Sequence, residues 1–470
     1  MEEPHEIAER LTGMVRGRIG GRKVILAGTL LAPATMLLRA LESLGAGPFL
    51  IVATGLGTGD LPSDAEADWV VHEVHASDTI DEFRQIERLM ADPPPAIVEA
   101  VERFDPDRDA LVIFPPFAAS PDLCGRPGYG RRRAEWLALE DKTTCDALFD
   151  RAGVRRPPNE IVPVDRTALR RAAARLDAGM GTVWAGDAKD GFNGGGVFVR
   201  WIRSAADAAA IDDALDRFTG QCDHVRVAPF IEGIPCSIHG IVCPDGVAVL
   251  RPIEMVNLRR PGASQLLYAG AASYFDPPPS EREVMRDAAR AVGRLLTDEH
   301  DFAGAFTIDG IVGADGWLPT ELNPRYGGGL QYPRDLYPDL PFMVVHQMLV
   351  QGDAPDVRAA DIEALLIPAA DETRWGGGWS MIPATFTETE TVPVRFVGDR
   401  LQVAQPDEPE DGQLMRGPNA VGGFVRLVLD PARTPKGPSI APRVIAAMAL
   451  ADELWDAGVG PLEPARAVLL

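Results

Sequence analysis

The sequence predicts a multidomain protein that joins an α/β layer to α+β parts, and three observations carry this. Its 470 residues suffice for about three domains. Residues 23–28 (KVILAG), 32–44 and 49–54 (FLIVAT) read as buried strand, helix and buried strand, a βαβ unit with parallel strands. Further on, strands follow one another through turns, most plainly in the hairpin pattern of 304–323. After Gln351 the composition shifts to Pro, Asp and Glu, then to short strands and one helix.

With 46% hydrophobic and 24% charged residues the chain can bury sizeable cores. No apolar run suits a bilayer span, since even 24–44 contains Arg39 and Glu42. A net charge of −23 argues against nucleic acid or an anionic membrane as partner and tolerates cationic substrates better than anionic ones. The acidic first residues, MEEPHEIAER, fit no targeting peptide, so a cytoplasmic protein is expected. Five cysteines with no CxxC pair fit buried thiols in a reducing compartment.

Taken in order, a polar first helix precedes the βαβ unit, and Gly55-Leu-Gly-Thr-Gly59 follows it. These glycines lack the G-x-G-x-x-G spacing and sit after the wrong strand for a dinucleotide loop, so a tight turn is expected. Residues 111–114 (LVIF) form a further strand before a Pro- and Gly-rich connection, 115–130. A helix opens at Leu139-Glu140-Asp141-Lys142, with Asp141 as cap, Cys145, Leu148 and Phe149 inside, and Gly153 as stop. Strands at 182–185 and 197–202 flank Gly186-Asp-Ala-Lys-Asp-Gly-Phe-Asn-Gly-Gly-Gly196. Such a loop lets backbone N–H groups approach phosphate oxygens and can close over a ligand.

The polar run 247–251 with Glu254, Asn257, Arg259 and Arg260 leads into an expected loop at 261–270. It is either the lining of a pocket for acceptor or carboxylate, or a surface strand and loop. His239, between the isoleucines 238 and 241 of a strand, reads as structural. Ser280-x-x-Glu283 is a capping box for a helix at 281–296 whose Met285, Ala288, Val292 and Leu295 make one apolar stripe. Strands at 379–385, 392–396 and 422–429 and a helix at 441–455 make a small α+β domain, in which Trp375-Gly-Gly-Gly-Trp379 reads as a structural loop, though its glycines could let it lie against the active site.

The hairpin carries the chemistry. Residues 304–312 and 317–323 alternate around Ala314-Asp315-Gly316. A three-residue loop, with Gly316 left-handed and a bulge beside it, sets Asp309 opposite Glu321, with Asn323 on the same face; Ile308, Leu318 and Leu322 then face a core. Two carboxylates and an amide oxygen are hard ligands suited to magnesium that completes its shell with phosphate and water.

Glu321-Leu-Asn-Pro-Arg325, followed by Tyr326 and three glycines, resembles the metal-binding end of the ATP-grasp superfamily, and other motifs over about 20–350 follow in that family's order. The resemblance implies an ATP-grasp fold at 136–350, preceded by a Rossmann-like α/β domain at 1–135 and followed by the C-terminal α+β domain at 351–470. It implies magnesium ligands Asp309, Glu321 and Asn323, with Arg325 facing the reacting phosphoryl group and Lys142 reaching ATP phosphate. Glycines 194, 195 and 196 would belong to the phosphate loop. Residues 225–237 (VRVAPFIEGIPCS) resemble the adenine-binding linker, read by the carbonyl of Pro229 and the N–H of Ile231. Pro235 stands where an acid often holds the ribose, which makes Glu232 a candidate for that contact. The chain departs from the family where a strand lysine is usual: the strand ends Val183-Trp184-Ala185, so either Lys189 reaches back from the loop or the second phosphate lysine is missing.

A phosphate loop, a magnesium cluster and an arginine, with no Ser-His-Asp or zinc constellation among seven histidines, point to phosphoryl transfer. The resemblance implies that ATP activates a carboxylate as an acyl phosphate, releasing ADP, before an amine or peptide displaces phosphate. The glycine loop and the C-terminal domain further resemble the pheganomycin type of peptide ligase in natural-product biosynthesis. A thiol acceptor and a catalytically silent nucleotide-binding protein are the alternatives. A homodimer is a candidate assembly.

Overall fold

The computed structural model describes residues 3–191, 194–331 and 337–468. Phe192 and Asn193 of the glycine loop lie outside them. The first part is the expected α/β layer: α1 (Pro4–Ile19), β1 (Val24–Thr29), α2 (Leu31–Ser43), β2 (Phe49–Ala53), β3 (Asp68–Val71), α3 (Thr79–Ala91), α4 (Pro95–Phe104) and β4 (Leu111–Ile113). The strands run parallel in the order β3-β2-β1-β4. Both sheet faces are covered, which is why β2 is apolar throughout and β1 is apolar up to its last residue, Thr29. The glycines at 55–59 form the expected turn, lying against the start of α2 through hydrogen bonds from Leu31 and Ala32.

A short ladder, β5 (Asp122–Leu123) with β6 (Arg126–Pro127), leads to α5 (Ala134–Leu137) and α6 (Cys145–Arg151). Asp141 caps the turn ahead of α6 rather than the helix itself, accepting from the Thr143 N–H and hydroxyl. Next comes a separate antiparallel sheet from β7 (Glu160–Pro163), α7 (Arg166–Leu176), β8 (Thr182–Gly186), β9 (Val199–Ile202), α8 (Ala208–Phe218) and β10 (His224–Pro229), in the order β7-β10-β8-β9. This sheet roofs the cavity described below. Its own core holds Trp184, Phe198, Phe218 and Val225, and Ile80 of α3 packs into it.

The floor is an 11-stranded antiparallel sheet. Its strands are β11 (Gly233–Cys243), β12 (Gly246–Val249), β13 (Ile253–Arg259) and β14 (Leu266–Ala272), then after α9 (Pro279–His300) β15 (Gly304–Gly313) and β16 (Gly316–Asn323). Beyond α10 (Phe342–Gln351) and α11 (Ala359–Glu372), β17 (Gly376–Ile382), β18 (Glu390–Val397), β19 (Arg400–Val403), β20 (Gly412–Pro418) and β21 (Gly423–Leu429) extend the same sheet, and α12 (Ala441–Trp455) covers it.

Three expectations change here. The expected loop at 261–270 is strand β14 from Leu266 onward, and the expected loop after Trp375 is the start of strand β17, paired with β14 and β21. Glycine is what makes β17 fit: a Cβ at Gly377 would lie 2.0 Å from the Leu427 carbonyl oxygen. Helix α9 starts before the capping box, because Pro279 at its first turn presets the helical φ. Glu281, in the first turn of α9, accepts the Trp317 N–H at 2.6 Å. The 11-stranded sheet draws strands from both sides of residue 350, and α1 shares its core with α10 and α11. No helix among the described residues is long and apolar enough to cross a membrane. The cysteines are free, and all but Cys124 are buried.

Glu254 ties β13 to the start of α12. It is 1% exposed and accepts from the Ile440 N–H at 3.0 Å and from the Ser439 hydroxyl. Burial pushes its carboxyl up to about 7 despite those bonds. A carboxyl with a raised folded pKa holds its proton longer in the folded state, so its contribution is present below about 4.5 and lost as pH rises through about 7. Glu254→Gln should therefore abolish a pH-dependent loss on the order of 3 kcal/mol. Denaturant unfolding at pH 5 and pH 8 checks this: the wild type should lose stability between the two relative to the variant, and parallel curves would refute it.

Candidate active site

The site is built on the β15–β16 hairpin. Its turn is shorter than expected: Gly313 pairs with Gly316, whose φ is +89°, and only Ala314 and Asp315 lie between them. Asp309 nevertheless faces Glu321, and Thr307 faces Asn323, because a bulge at Thr320 supplies the missing residue. The bulge switches faces along β16. Leu322 and Ile308 enter the core as expected, but Trp317 joins them, while Leu318 pairs with Ile311, which lines the cavity.

Asp309 is the electrostatic centre. Burial pushes its carboxyl up to about 7, the facing Glu321 carboxylate adds to this, and the Ser237 hydroxyl, Arg325 and Lys142 oppose it. Ser237 donates to Asp309 Oδ1 at 2.6 Å, and Asn323 Nδ2 donates to Oδ2 at 2.9 Å. Lys142, 7% exposed, sets its Nζ 2.7 Å from Glu321 Oε1. Arg325 donates from Nε to Glu140 Oε1 at 2.7 Å and from a terminal nitrogen to Asn323 Oδ1 at 3.2 Å. Buried Arg132 holds the same Glu140 at 3.1 Å. Among the described residues no group of three or more His, Cys, Asp or Glu side chains could hold a metal. A metal here would rest on two carboxylates and an amide, an oxygen-only set whose facing acids favour added positive charge.

All of these residues but Glu140 and Arg132 line one cavity of about 450 Å³ between floor and roof. Glycines 194, 195 and 196 line it beside Lys142, Asp309, Glu321, Asn323 and Arg325. At the linker end, Pro229, Phe230 and Ile231 reach it. The Phe230 N–H is used by the Gly181 carbonyl, and its ring stacks on Trp201 at 4.0 Å.

Two candidates are placed elsewhere. Glu232 is absent from the lining, because Arg259 grips both of its oxygens at 2.7 and 2.9 Å and the Arg466 N–H adds a third bond. Lys189 does not line the cavity either. It pairs with Asp223 at 2.9 Å, its backbone N–H bonds to Gln221, and its side chain is 44% exposed. Lys189→Ala is therefore expected to change turnover less than about twofold, as for an exposed ion pair; a tenfold fall in a steady-state assay would return it to the site.

Of the polar run, Asn257 and Arg259 line the cavity, while Arg251 pairs with Asp371 and Asp276, Glu254 holds α12, and Arg260 bonds to the Val459 carbonyl. Sequence reasoning missed Arg226 and Tyr268, which line the cavity, as does Trp379 at the end of the glycine run. The signal for Arg226 was a single charge among valines in a strand, HVRVAP. His239 is buried as expected, with burial pushing its imidazole down to about 3, yet it lines the cavity and its Nδ1 has no partner.

No family model matches the sequence, and no curated protein matches it. Solved structures do. A biotin carboxylase from Campylobacter jejuni, in complex with β,γ-ATP, is 12% identical, with 94% of this chain and 92% of that one covered at a TM-score of 0.54. A phosphoribosylamine–glycine ligase from Thermotoga maritima is 13% identical, with 92% and 96% covered at a TM-score of 0.52. Both likenesses run nearly end to end, and the chain has the ATP-grasp fold.

Proposed function

We propose that this chain is an ATP-dependent, ADP-forming ligase that activates a carboxylate as an acyl phosphate and joins it to an amine. The observation that carries the proposal is the meeting, in one cavity under the glycine loop, of the Asp309–Glu321–Asn323 oxygen cluster with Lys142 and Arg325. The adenine would lie at the linker, held by the Pro229 carbonyl and the Ile231 N–H, since the Phe230 N–H is already used. Lys142 and the backbone of Gly194, Gly195 and Gly196 would bind phosphate oxygens. Asp309, Glu321 and Asn323 would hold magnesium, which when bound neutralises charge on the transferring phosphoryl group.

In the first step a carboxylate oxygen attacks the γ-phosphorus, the bond to the β-phosphate oxygen breaks, and ADP leaves. Arg325 faces the charge that develops. In the second step the amine nitrogen attacks the acyl carbon, phosphate leaves, and the nitrogen gives up a proton to water. The roof excludes water that would hydrolyse the intermediate. A peptide bond in natural-product biosynthesis is the finer form of the proposal, supported by the resemblance of 186–195 to the pheganomycin type of ligase.

The test is ATP with magnesium and a crossed panel of carboxylates with amines, peptides and thiols, read as ADP and phosphate release and by product mass. Release that needs both a carboxylate and an amine supports the proposal. Release only with thiols replaces the acceptor, and ATP binding without release from any pair sinks the enzyme reading.

A further inference from the structure

We propose that Arg226 is the phosphate-binding cation of the roof, reaching the α- and β-phosphate oxygens of the nucleotide; this rests on the ATP-ligase reading above. The roof strands show the cavity Val183 and Ala185 of β8, Val199 of β9, and Arg226 and Ala228 of β10. Arg226 is the single charge on that lining. It pairs in the sheet directly opposite Ala185, so it projects from the middle of the roof rather than from its rim.

The guanidinium is held in a way that leaves one side over. Asp146 of α6 takes two donors of Arg226, Nε and one terminal nitrogen, the latter at 2.9 Å. The other terminal nitrogen, Nη1, makes no hydrogen bond with any described residue. Arg226 is 5% exposed and Asp146 4%, and Asp146 does not line the cavity. The carboxylate thus clamps the guanidinium from behind while the arginine faces the cavity. A planar fork can serve a carboxylate on one edge and a phosphate on another, which an ammonium on a flexible stem cannot do with fixed geometry.

The clamp also couples two cations. Asp146, in the first turn of α6, lies four residues beyond Lys142 in the turn ahead of it, so one short stretch delivers Lys142 to the floor at Glu321 and fixes Arg226 in the roof. A buried ion pair that only ties roof to α6 would need neither the spare nitrogen nor a place in the lining.

The experiment is calorimetric binding of adenosine, AMP, ADP and ATP, without divalent metal, to the wild type, Arg226→Gln and Arg226→Lys. The wild type should bind ADP more tightly than adenosine. Arg226→Gln should lose about 10- to 100-fold of ADP affinity with adenosine affinity unchanged, as expected for one charged hydrogen-bonding group, and Arg226→Lys should regain part of it. If Arg226→Gln does not fold, the double replacement Asp146→Asn with Arg226→Gln removes both buried charges and reads the same ratio. An unchanged ratio in a folded variant overturns the proposal and makes Arg226 a structural tie. A wild type that binds no nucleotide at all overturns the ligase reading itself, a different result.

Discussion

Replacing Glu321 by Gln is expected to lower turnover at least about 100-fold while the protein stays folded. Gln keeps the shape but removes one of the two facing carboxylates, so the metal-binding charge halves where the transferring phosphoryl develops its own. Folding should survive because Glu321 is not a core side chain. Its one ion pair, to Lys142, opens on the cavity, and Lys142 keeps the nearby Asp309 as counter-charge. Leu322→Gln, one residue on, should do the opposite. Leu322 is 0% exposed among Ile308, Met285 and Trp317, and an unpartnered amide there costs on the order of 1–3 kcal/mol beyond the lost packing. Magnesium titrations of turnover with thermal unfolding separate the two. A shifted magnesium requirement in Leu322→Gln, with Glu321→Gln behaving as wild type, would show that the faces had been exchanged.

How much of this was legible in the sequence depends on whether a feature is local. The parallel unit was legible because β1 and β2 are buried on both faces and so read as unbroken apolar runs. The facing of Asp309 and Glu321 was legible through alternation, although for a reason partly wrong: the extra residue is Thr320 in the strand, not a third residue in the turn. A bulge in the middle of a strand leaves no composition signal, and it moved Trp317 and Leu318 to faces opposite to those expected. The glycine start of strand β17 was hidden because glycine carries no strand propensity; its place is set by the backbones of β14 and β21, far away in sequence. Glu232 and Lys189 stand away from the cavity lining for the same physical reason. Nothing near them in sequence announces Arg259 or Asp223, yet those partners, from other strands and loops, decide where the two side chains point.

Arg325→Met is expected to cost turnover on the order of 1000-fold, the scale of removing an arginine from a transferring phosphoryl group. The side chain is held by one residue outside the hairpin and one at the end of β16. Glu140 takes its Nε at 2.7 Å and Asn323 takes a terminal nitrogen at 3.2 Å, which fixes the guanidinium plane beside the oxygen cluster. Losing Arg325 does not strand Glu140, because Arg132 still holds it at 3.1 Å, so the variant should fold with a modest stability loss. The charge it faces arises mainly in the transition state, and ATP affinity should therefore fall only about threefold while kcat carries the rest. Arg325→Lys restores the charge without the fork and should recover less than about a tenth of the lost rate. If Arg325 served only to anchor Glu140, the result would differ in kind: unfolding would come earlier, and turnover per folded molecule would match the wild type in both variants.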